Sequence, residues 1–361
     1  MVISMVKYVD KLAEPANKQY RIAALSGEGI GLEVVEATLI ILQQVATQHN
    51  FRLQVDYGVI GQTAYKQYGS HFPQETAQLC GNADGILFGA VSKGGLLELR
   101  KEFDFFANLR PVKTYPSLLN KSSLKSDRLA GIDILFVREL VSGIYFGTAG
   151  RKEDEAGSYG YQTMQYYDWQ IKRIAKVALE KAQQRRGLLT VAHKENALPH
   201  LPWTRLVREV AGEYPDVTVE PMLVDNLAMQ LVIKPQHFDV ILAGNLFGDI
   251  LSDIGGALVG SVGLLGSASL NEEGFGLYEP IHGTAPDITG KNRANPFGSL
   301  ASAMMMLEQW GEMAAVASLQ QAWNNILDRG YRTYDLYSDD SEILVTTTEL
   351  VELFLAELEN S

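Results

Sequence analysis

A single cysteine, Cys80, stands in 361 residues. That excludes an intrachain disulfide and any zinc site built on cysteines, and it fits a reducing, intracellular compartment; a cytoplasmic protein is expected. Positive charge is also short. The 31 Lys and Arg against 43 Asp and Glu leave a net charge of −12. Nucleic-acid binding needs clustered cations for phosphate contacts, so that class is set aside, and an anionic substrate would have to meet individually placed cations. Long apolar runs are missing too. The opening MVISMVKYVDKLAEPANKQY is broken by Lys7, Asp10, Lys11 and Glu14 and has no secretory h-region. No later segment is an uninterrupted apolar run of membrane-spanning length, so no membrane partner is expected. There is no internal repeat and no low-complexity tract. What remains is an ordinary globular composition, 46% hydrophobic and 20% charged, in a chain long enough for two domains or one large α/β unit.

The clearest chemistry lies in GNLFGDILSD, residues 244–253. The apolar run Phe238–Ala243 reads as a buried strand ending at Gly244 and Asn245. A helix then carries Asp249 and Asp253, which at a spacing of four share one face. Like charges so placed repel, so a positive group is expected between them. Oxygen-only ligands suit Mg²⁺ or Mn²⁺ better than Zn²⁺. The plain alternative is a solvated helix face bearing two acids. The Gly/Asn/Gly approach and the nearly uncharged Gly/Ala-rich run over 255–269 favour a buried, closely packed site.

Earlier in the chain, Arg21–Leu25 is a strand candidate leading through SGEGIGLEV (26–34) into a helix to about Gln48. Gly27, Gly29 and Gly31 would let the backbone approach a ligand, and the helix N-terminus favours an anion; a plain tight turn explains them equally well. The spacing is G-x-G-x-G, and the acidic residue that would complete a Rossmann site is absent. Strands are expected over 51–59 and 84–91, with helices over 73–81 and 95–105. Arg100, Arg110 and Arg138 each stand at or beside the end of a structured segment. Singly each reads as a surface salt bridge; converging, their planar forks would grip a di- or tri-acid.

SGIYFG (142–147) puts Tyr145 in a short strand between glycines. Residues 150–168, polar and rich in Gly and Tyr, read as a protruding hairpin or loop suited to a dimer clasp. An amphipathic helix over 167–186 precedes a strand over 188–192, which ends in His193-Lys194-Glu195-Asn196. A lysine just past a buried strand is placed for use as a base, because partial burial lowers its pKa. Asp225 opens another helix. EPIHGTAPDITG (279–290) is too rich in Gly and Pro for regular structure and too long for a turn, so it reads as a ligand-binding loop. Met304–Met306, in a helix over 297–310, read as core. Helices near 313–329 and 347–359 close the chain.

Taken together, GEGIG, LRKEFDFFANLRP, VRELVSGIYFG, HKENAL, VDNLAMQLV, GNLFGDILSD and EPIHGTAPDITGKNRANP stand in the order and spacing of one family. The chain resembles 3-isopropylmalate dehydrogenase, within the β-decarboxylating dehydrogenases that also include isocitrate, homoisocitrate and tartrate dehydrogenases. The resemblance runs from about residue 20 to 355. It implies a two-domain α/β fold, non-Rossmann, with a dimer clasp. A first, cofactor-binding domain would comprise 20–112 and 258–361. A second domain, 113–257, would serve substrate, metal and dimerisation, with 1–19 a loosely ordered N-terminal extension.

The resemblance also implies roles. Arg100, Arg110 and Arg138 would grip the substrate's carboxylates, and Tyr145 would protonate the carbon left by CO₂. Lys194 would be the base for the 2-hydroxyl. Asp225, Asp249 and Asp253 would hold Mg²⁺ or Mn²⁺, with Lys194 and Asp225 reaching in from the partner of a homodimer with shared active sites. His282, Gly283, Thr284, Ala285 and Asn295 match the adenosine pocket, with Ile30 and Asn196 also assigned to the cofactor. Asp287 would accept from the ribose hydroxyls; a carboxylate there repels a 2′-phosphate and favours NAD over NADP.

Three departures bear on the substrate. The family's GGPKWD loop is reduced to Ser92-Lys93-Gly94, with Lys93 where isopropylmalate enzymes place a glutamate. Ala197 replaces a valine that packs on the isopropyl group, whereas Leu96 and Leu97, which face the same group, are kept. Glu28 and Leu32 replace the usual Asp and Pro of the first loop. Loss of two methyl groups from an apolar wall makes room for a bulkier substituent, so a 3-substituted malate such as 3-benzylmalate is expected. Ordinary 3-isopropylmalate is the alternative. Homoisocitrate, with Lys93 as its polar partner, and a non-catalytic regulatory role rank below both.

Overall fold

The computed structural model describes residues 18–360. The extension expected over 1–19 lies outside them, except that Lys18 and Gln19 already belong to the first strand.

The first run of elements is β1 (Lys18–Gly27), α1 (Gly31–Gln48), β2 (Phe51–Tyr57), α2 (Gly61–Tyr68), α3 (Gln74–Gly81), β3 (Gly85–Ala90), α4 (Leu96–Glu102) and β4 (Ala107–Lys113). The middle of the chain gives α5 (Ser126–Leu129), β5 (Asp133–Glu139) and the hairpin β6 (Ala149–Asp154) with β7 (Gly157–Gln162). It continues with α6 (Asp168–Gln183), β8 (Leu188–His193), α7 (Trp203–Ala211), β9 (Thr218–Leu223), α8 (Val224–Ile233), β10 (Val240–Ala243) and α9 (Asn245–Val259). The last run is β11 (Gly266–Leu270), β12 (Gly276–Pro280), α10 (Phe297–Gln309), α11 (Met313–Asp328), the short pair β13 (Tyr331–Arg332) and β14 (Ile343–Leu344), and α12 (Thr347–Glu359).

Ten strands form one sheet in the order β2-β1-β3-β12-β11-β4-β5-β10-β8-β9. The outer parts, β2-β1-β3-β12 and β5-β10-β8-β9, are parallel, and β11 and β4 join them through antiparallel pairing. One half thus draws on both chain ends and the other on the middle. Helices cover both faces, which is why β3 and β10 are buried along their whole length rather than alternating. In β1, Ile22 and Ala24 pack into one cluster and Ala23 and Leu25 into another, as the two-residue period requires. Among the described residues no helix is long and apolar enough to cross a membrane. Cys80 is buried and unpaired.

Several elements depart from the sequence reading. β1 begins three residues before Arg21, because it pairs with β2 from Lys18 onward. α4 stops at Glu102 rather than 105, where Asp104 turns with a φ of +46°. β10 starts at Val240 rather than Phe238, after a 3₁₀ turn over Pro235–His237. Tyr145 lies in a 3₁₀ turn, Gly143–Tyr145, not in a strand. The carboxylate of Glu139 accepts from the backbone N–H groups of Val141 and Ser142 and turns the chain away from the sheet before it can pair. The expected hairpin is present, and all of β6 and β7 is exposed.

Candidate active site

The arginines and acids meet on one face of the central strands. In β4, Asn108 and Arg110 point to the same side, and Arg138 lies directly opposite Asn108 on β5. α9 packs over that side with its first two turns. Arg138 Nη1 donates to Asp249 Oδ1 at 2.5 Å, and its Nη2 donates to Asn245 Oδ1 at 2.7 Å. Asn245 is itself fixed by donating to the carbonyls of Leu140 and Ser142. Arg110 donates to Asn108 Oδ1 and to Ser252 Oγ, both at 2.8 Å. Its Nη1 then stands 3.6 Å from Asp249 Oδ1 and 3.5 Å from Asp253 Oδ1. The positive group expected between the two aspartates is therefore present on the chain itself. The helix backbone leaves room for this: a Cβ on Gly248 would lie 2.7 Å from Arg138 Cγ.

The electrostatics follow from burial. Arg138 is pushed down to about 9 by desolvation and by the charge of Arg110, with Asp249 pulling the other way. Arg110 is lowered by the same burial, against the pull of Asp249. Tyr145 donates to Asp249 Oδ2 at 2.9 Å; partial burial and that carboxylate raise its pKa, so it stays protonated at neutral pH. Asp253 is raised by partial desolvation and by Asp249, with Arg110 opposing. Arg100, on α4, donates to Glu279 at 2.6 Å.

Leu96, Arg100, Arg110, Glu279, His282 and Gly283 line one cavity of about 190 Å³ beside the ends of β3 and β12. Leu97, next along α4, is 46% exposed. His282 Nδ1 contacts the Gly283 carbonyl, Nε2 is buried with no partner, and burial lowers its pKa, so a neutral ring is favoured. Gly283 has open space where a Cβ would stand, and Ala285 turns with a φ of +40°. Ile30 N–H donates to the Thr284 carbonyl at 2.9 Å, which joins the first glycine loop to this loop. The close approaches of Gly27 and Gly29 are to the backbone of Ala90 and Thr284. Asp287 is exposed. Asn295 is buried, donates to Asp335 and accepts from Phe297 N–H.

Lys194 and Asp225 form a second group. They pair with each other at 2.9 Å, which holds Asp225 below its ordinary range. Neither pairs with Tyr145, Asp249 or Asp253 among the described residues, and no three acids, histidines or cysteines there gather to hold a metal. Asn196 and Ala197 are exposed on the turn after β8. The sequence reading missed the residues that hold the arginines: Asn108, Asn245, Ser252 and Glu279. All four lie inside motifs already singled out, but their part in holding the arginines depends on sheet register and helix phase, which the motifs alone do not show.

The sequence profile of the isocitrate/isopropylmalate dehydrogenase family matches residues 21–354. The chain belongs to this family. It is 45% identical over 355 residues to 3-isopropylmalate dehydrogenase of Zymomonas mobilis subsp. mobilis, covering 94% of this chain and 99% of that protein. To the enzyme of the same name from Aquifex aeolicus it is 42% identical over 358 residues, covering 95% and 98%. Among solved structures, isocitrate dehydrogenase from Methylococcus capsulatus superposes with a TM-score of 0.85 at 28% identity, covering 94% and 99%. The apo β-decarboxylating dehydrogenase of Thermococcus kodakarensis gives 0.77 at 32% identity, covering 94% and 96%. The two-domain α/β fold is that of the isocitrate/isopropylmalate dehydrogenases, and the chain is an NAD-dependent enzyme of the β-decarboxylating class.

Proposed function

We propose that the chain oxidises and decarboxylates 3-isopropylmalate to a 2-oxo acid, using NAD and Mg²⁺ or Mn²⁺ in a homodimer with shared active sites. The observation that carries this reading is the cluster of Arg110, Arg138, Tyr145, Asp249 and Asp253, with Arg100 and the apolar start of α4 beside it. The names of the relatives support the same substrate.

The residues fit the groups they would hold. Asp249 and Asp253 offer hard oxygen donors, and a divalent cation would offset the desolvation, and the lesser repulsion from Asp249, that raise Asp253. Asp225 of the partner subunit would complete the set. The buried, unpartnered Nε2 of His282 and the open space at Gly283 fit a cofactor lying along 282–285, and exposed Asp287 disfavours a 2′-phosphate. Exposed Met229, Val232 and Ile233 on α8, and Ile250 on α9, give an apolar face for the second copy. The buried, unpaired Cys80 supports a cytoplasmic setting.

When bound along 282–285, NAD would supply the hydride acceptor for C2, and a cation held by Asp249 and Asp253 would supply Lewis-acid polarisation of the C2 oxygen. The chain does the rest. Arg100, Arg110 and Arg138 bind the carboxylates and fix the malate's orientation. Lys194 of the partner subunit removes the 2-hydroxyl proton. Tyr145, held protonated, delivers a proton to C3 once CO₂ has left.

A second reading, a malate with a substituent bulkier than isopropyl such as benzyl, is favoured by the exposed Ala197 and Leu97 and by the short Ser92–Gly94 bridge. Comparing kcat/KM for 3-isopropylmalate, 3-benzylmalate and homoisocitrate with NAD separates the readings. The primary one expects 3-isopropylmalate to lead. A preference for 3-benzylmalate would move the assignment to the second reading, and a preference for homoisocitrate would defeat both.

A further inference from the structure

The bridge from β3 to α4 is short and turns hard. Gly94 and Gly95 both take positive φ, +68° and +88°. It carries Leu96 and Arg100 into the cleft at its far end. What holds it comes from another loop. We propose that Glu28 is a positioning residue that tethers the Ser92–Gly95 bridge and so presents Leu96 and Arg100 to substrate.

Glu28 reaches three segments at once. Its backbone N–H donates to the Ala90 carbonyl at 2.6 Å, at the end of β3. Its Oε1 accepts from Gln62 N–H at 2.6 Å. Its Oε2 accepts from Ser92 N–H at 3.2 Å and, at closer range, from the Ser92 hydroxyl. Gln62 lies in the first turn of α2, whose N-cap, Ile60, has no side-chain acceptor. The Glu28 carboxylate therefore serves as a remote cap, where a helix N-terminus favours negative charge. Partial burial pushes the carboxyl up, but the hydrogen bonds from Ser92 and Gln62 outweigh it and leave the group below its ordinary range.

The fit requires glycine where the segments touch. A Cβ on Gly61, at φ +73°, would stand 2.4 Å from Glu28 Oε1. A Cβ on Gly94 would meet the His71 ring at 2.4 Å, and one on Gly95 would meet Ile60 at 2.6 Å. His71 in turn contacts Gln62 at 3.1 Å and stacks on Tyr65. The bridge is thus gripped between Glu28 on one side and His71 on the other. An aspartate at 28, one methylene shorter, could not span both Gln62 and Ser92. Glu28 touches neither the reacting atoms nor the arginines, so its effect on turnover is indirect.

The kinetic readout rests on the proposed malate activity; amide hydrogen exchange does not. In the full-length protein, Glu28→Ala should raise the KM for 3-isopropylmalate about tenfold with kcat and the KM for NAD within about twofold. Ser92→Ala should act in the same direction more weakly. The double variant should be no worse than Glu28→Ala alone, because both remove one interaction. Glu28→Asp should not restore the wild-type KM. Amide exchange over 92–99 should quicken in Glu28→Ala while β3 stays protected. Unchanged exchange in this segment overturns the tether. So does faster exchange with an unaltered substrate KM, or a parallel loss of kcat, both KM values and Tm. If the wild type turns over no malate, the functional reading falls and the exchange comparison alone decides the tether.

Discussion

At the scale of single residues, the site is built on three buried arginines, each held by a polar neighbour. Asn245 fixes Arg138, Asn108 and Ser252 fix Arg110, and Glu279 fixes Arg100. Glu139, next to Arg138 but on the other side of β5, is the counter-example. It is fully buried, and desolvation pushes its carboxyl up to about 7, with the Ser142 and Val141 hydrogen bonds only partly opposing. Between the unfolded value near ~4.3 and that folded value, the native chain holds a proton that the unfolded chain has released. This contribution to stability is present at low pH and is lost as pH rises toward about 7. The stability of Glu139→Gln relative to wild type should therefore grow by roughly 1–3 kcal/mol between about pH 5 and pH 8 in denaturant unfolding. A pH-independent difference would contradict the burial argument. The arginines were legible in the sequence because each closes or flanks a segment. Their holders were not, since an asparagine or serine takes its role from sheet register and helix phase.

At the scale of elements, α9 shows what a helical spacing can and cannot say. The four-residue interval correctly put Asp249 and Asp253 on one face. The guanidinium between them comes from β4, over a hundred residues away, and no local pattern could name it. Tyr145 was misread as a strand residue because a hydrophobic triplet between glycines looks alike in both settings; the Glu139 hydrogen bonds decide for a turn. The glycines of α9 have a packing reason. Gly248 lets the stem of Arg138 lie against the helix, and Gly255 does the same for Val112. Alanine is the better helix former by about 1 kcal/mol, yet Gly248→Ala should raise the KM for 3-isopropylmalate about tenfold. The reason is that the stem of Arg138 meets the new Cβ near its rigid base. Steady-state kinetics would show it, and an unaltered KM would mean that Arg138 does not need this packing.

At the scale of the whole molecule, the sheet explains both what the sequence conveyed and what it hid. The α/β alternation was legible in the strand and helix patterns, and the return of the last strands to the first half was implied by the family resemblance alone. The antiparallel seam through β11 and β4, which brings Arg110 beside Arg138, was legible in neither. Among the described residues, the Lys194–Asp225 pair makes no hydrogen bond or ion pair with the Tyr145–Asp249 cluster within one chain. The proposed completion of each site from two copies has a direct consequence. Lys194→Ala and Asp249→Asn chains should each be inactive alone. Unfolded together and refolded, they should recover roughly a quarter of the wild-type rate, since half the dimers are mixed and each holds one intact site. No recovery, with dimers re-formed, would place the whole site within one chain. The central claim itself is tested most directly by following NADH and CO₂ together as the wild-type protein consumes 3-isopropylmalate with NAD and Mg²⁺ or Mn²⁺. The account predicts one NADH and one CO₂ for each malate consumed, and loss of both in Tyr145→Phe or Asp249→Asn. NADH without CO₂, or no turnover of 3-isopropylmalate under these conditions, would contradict it.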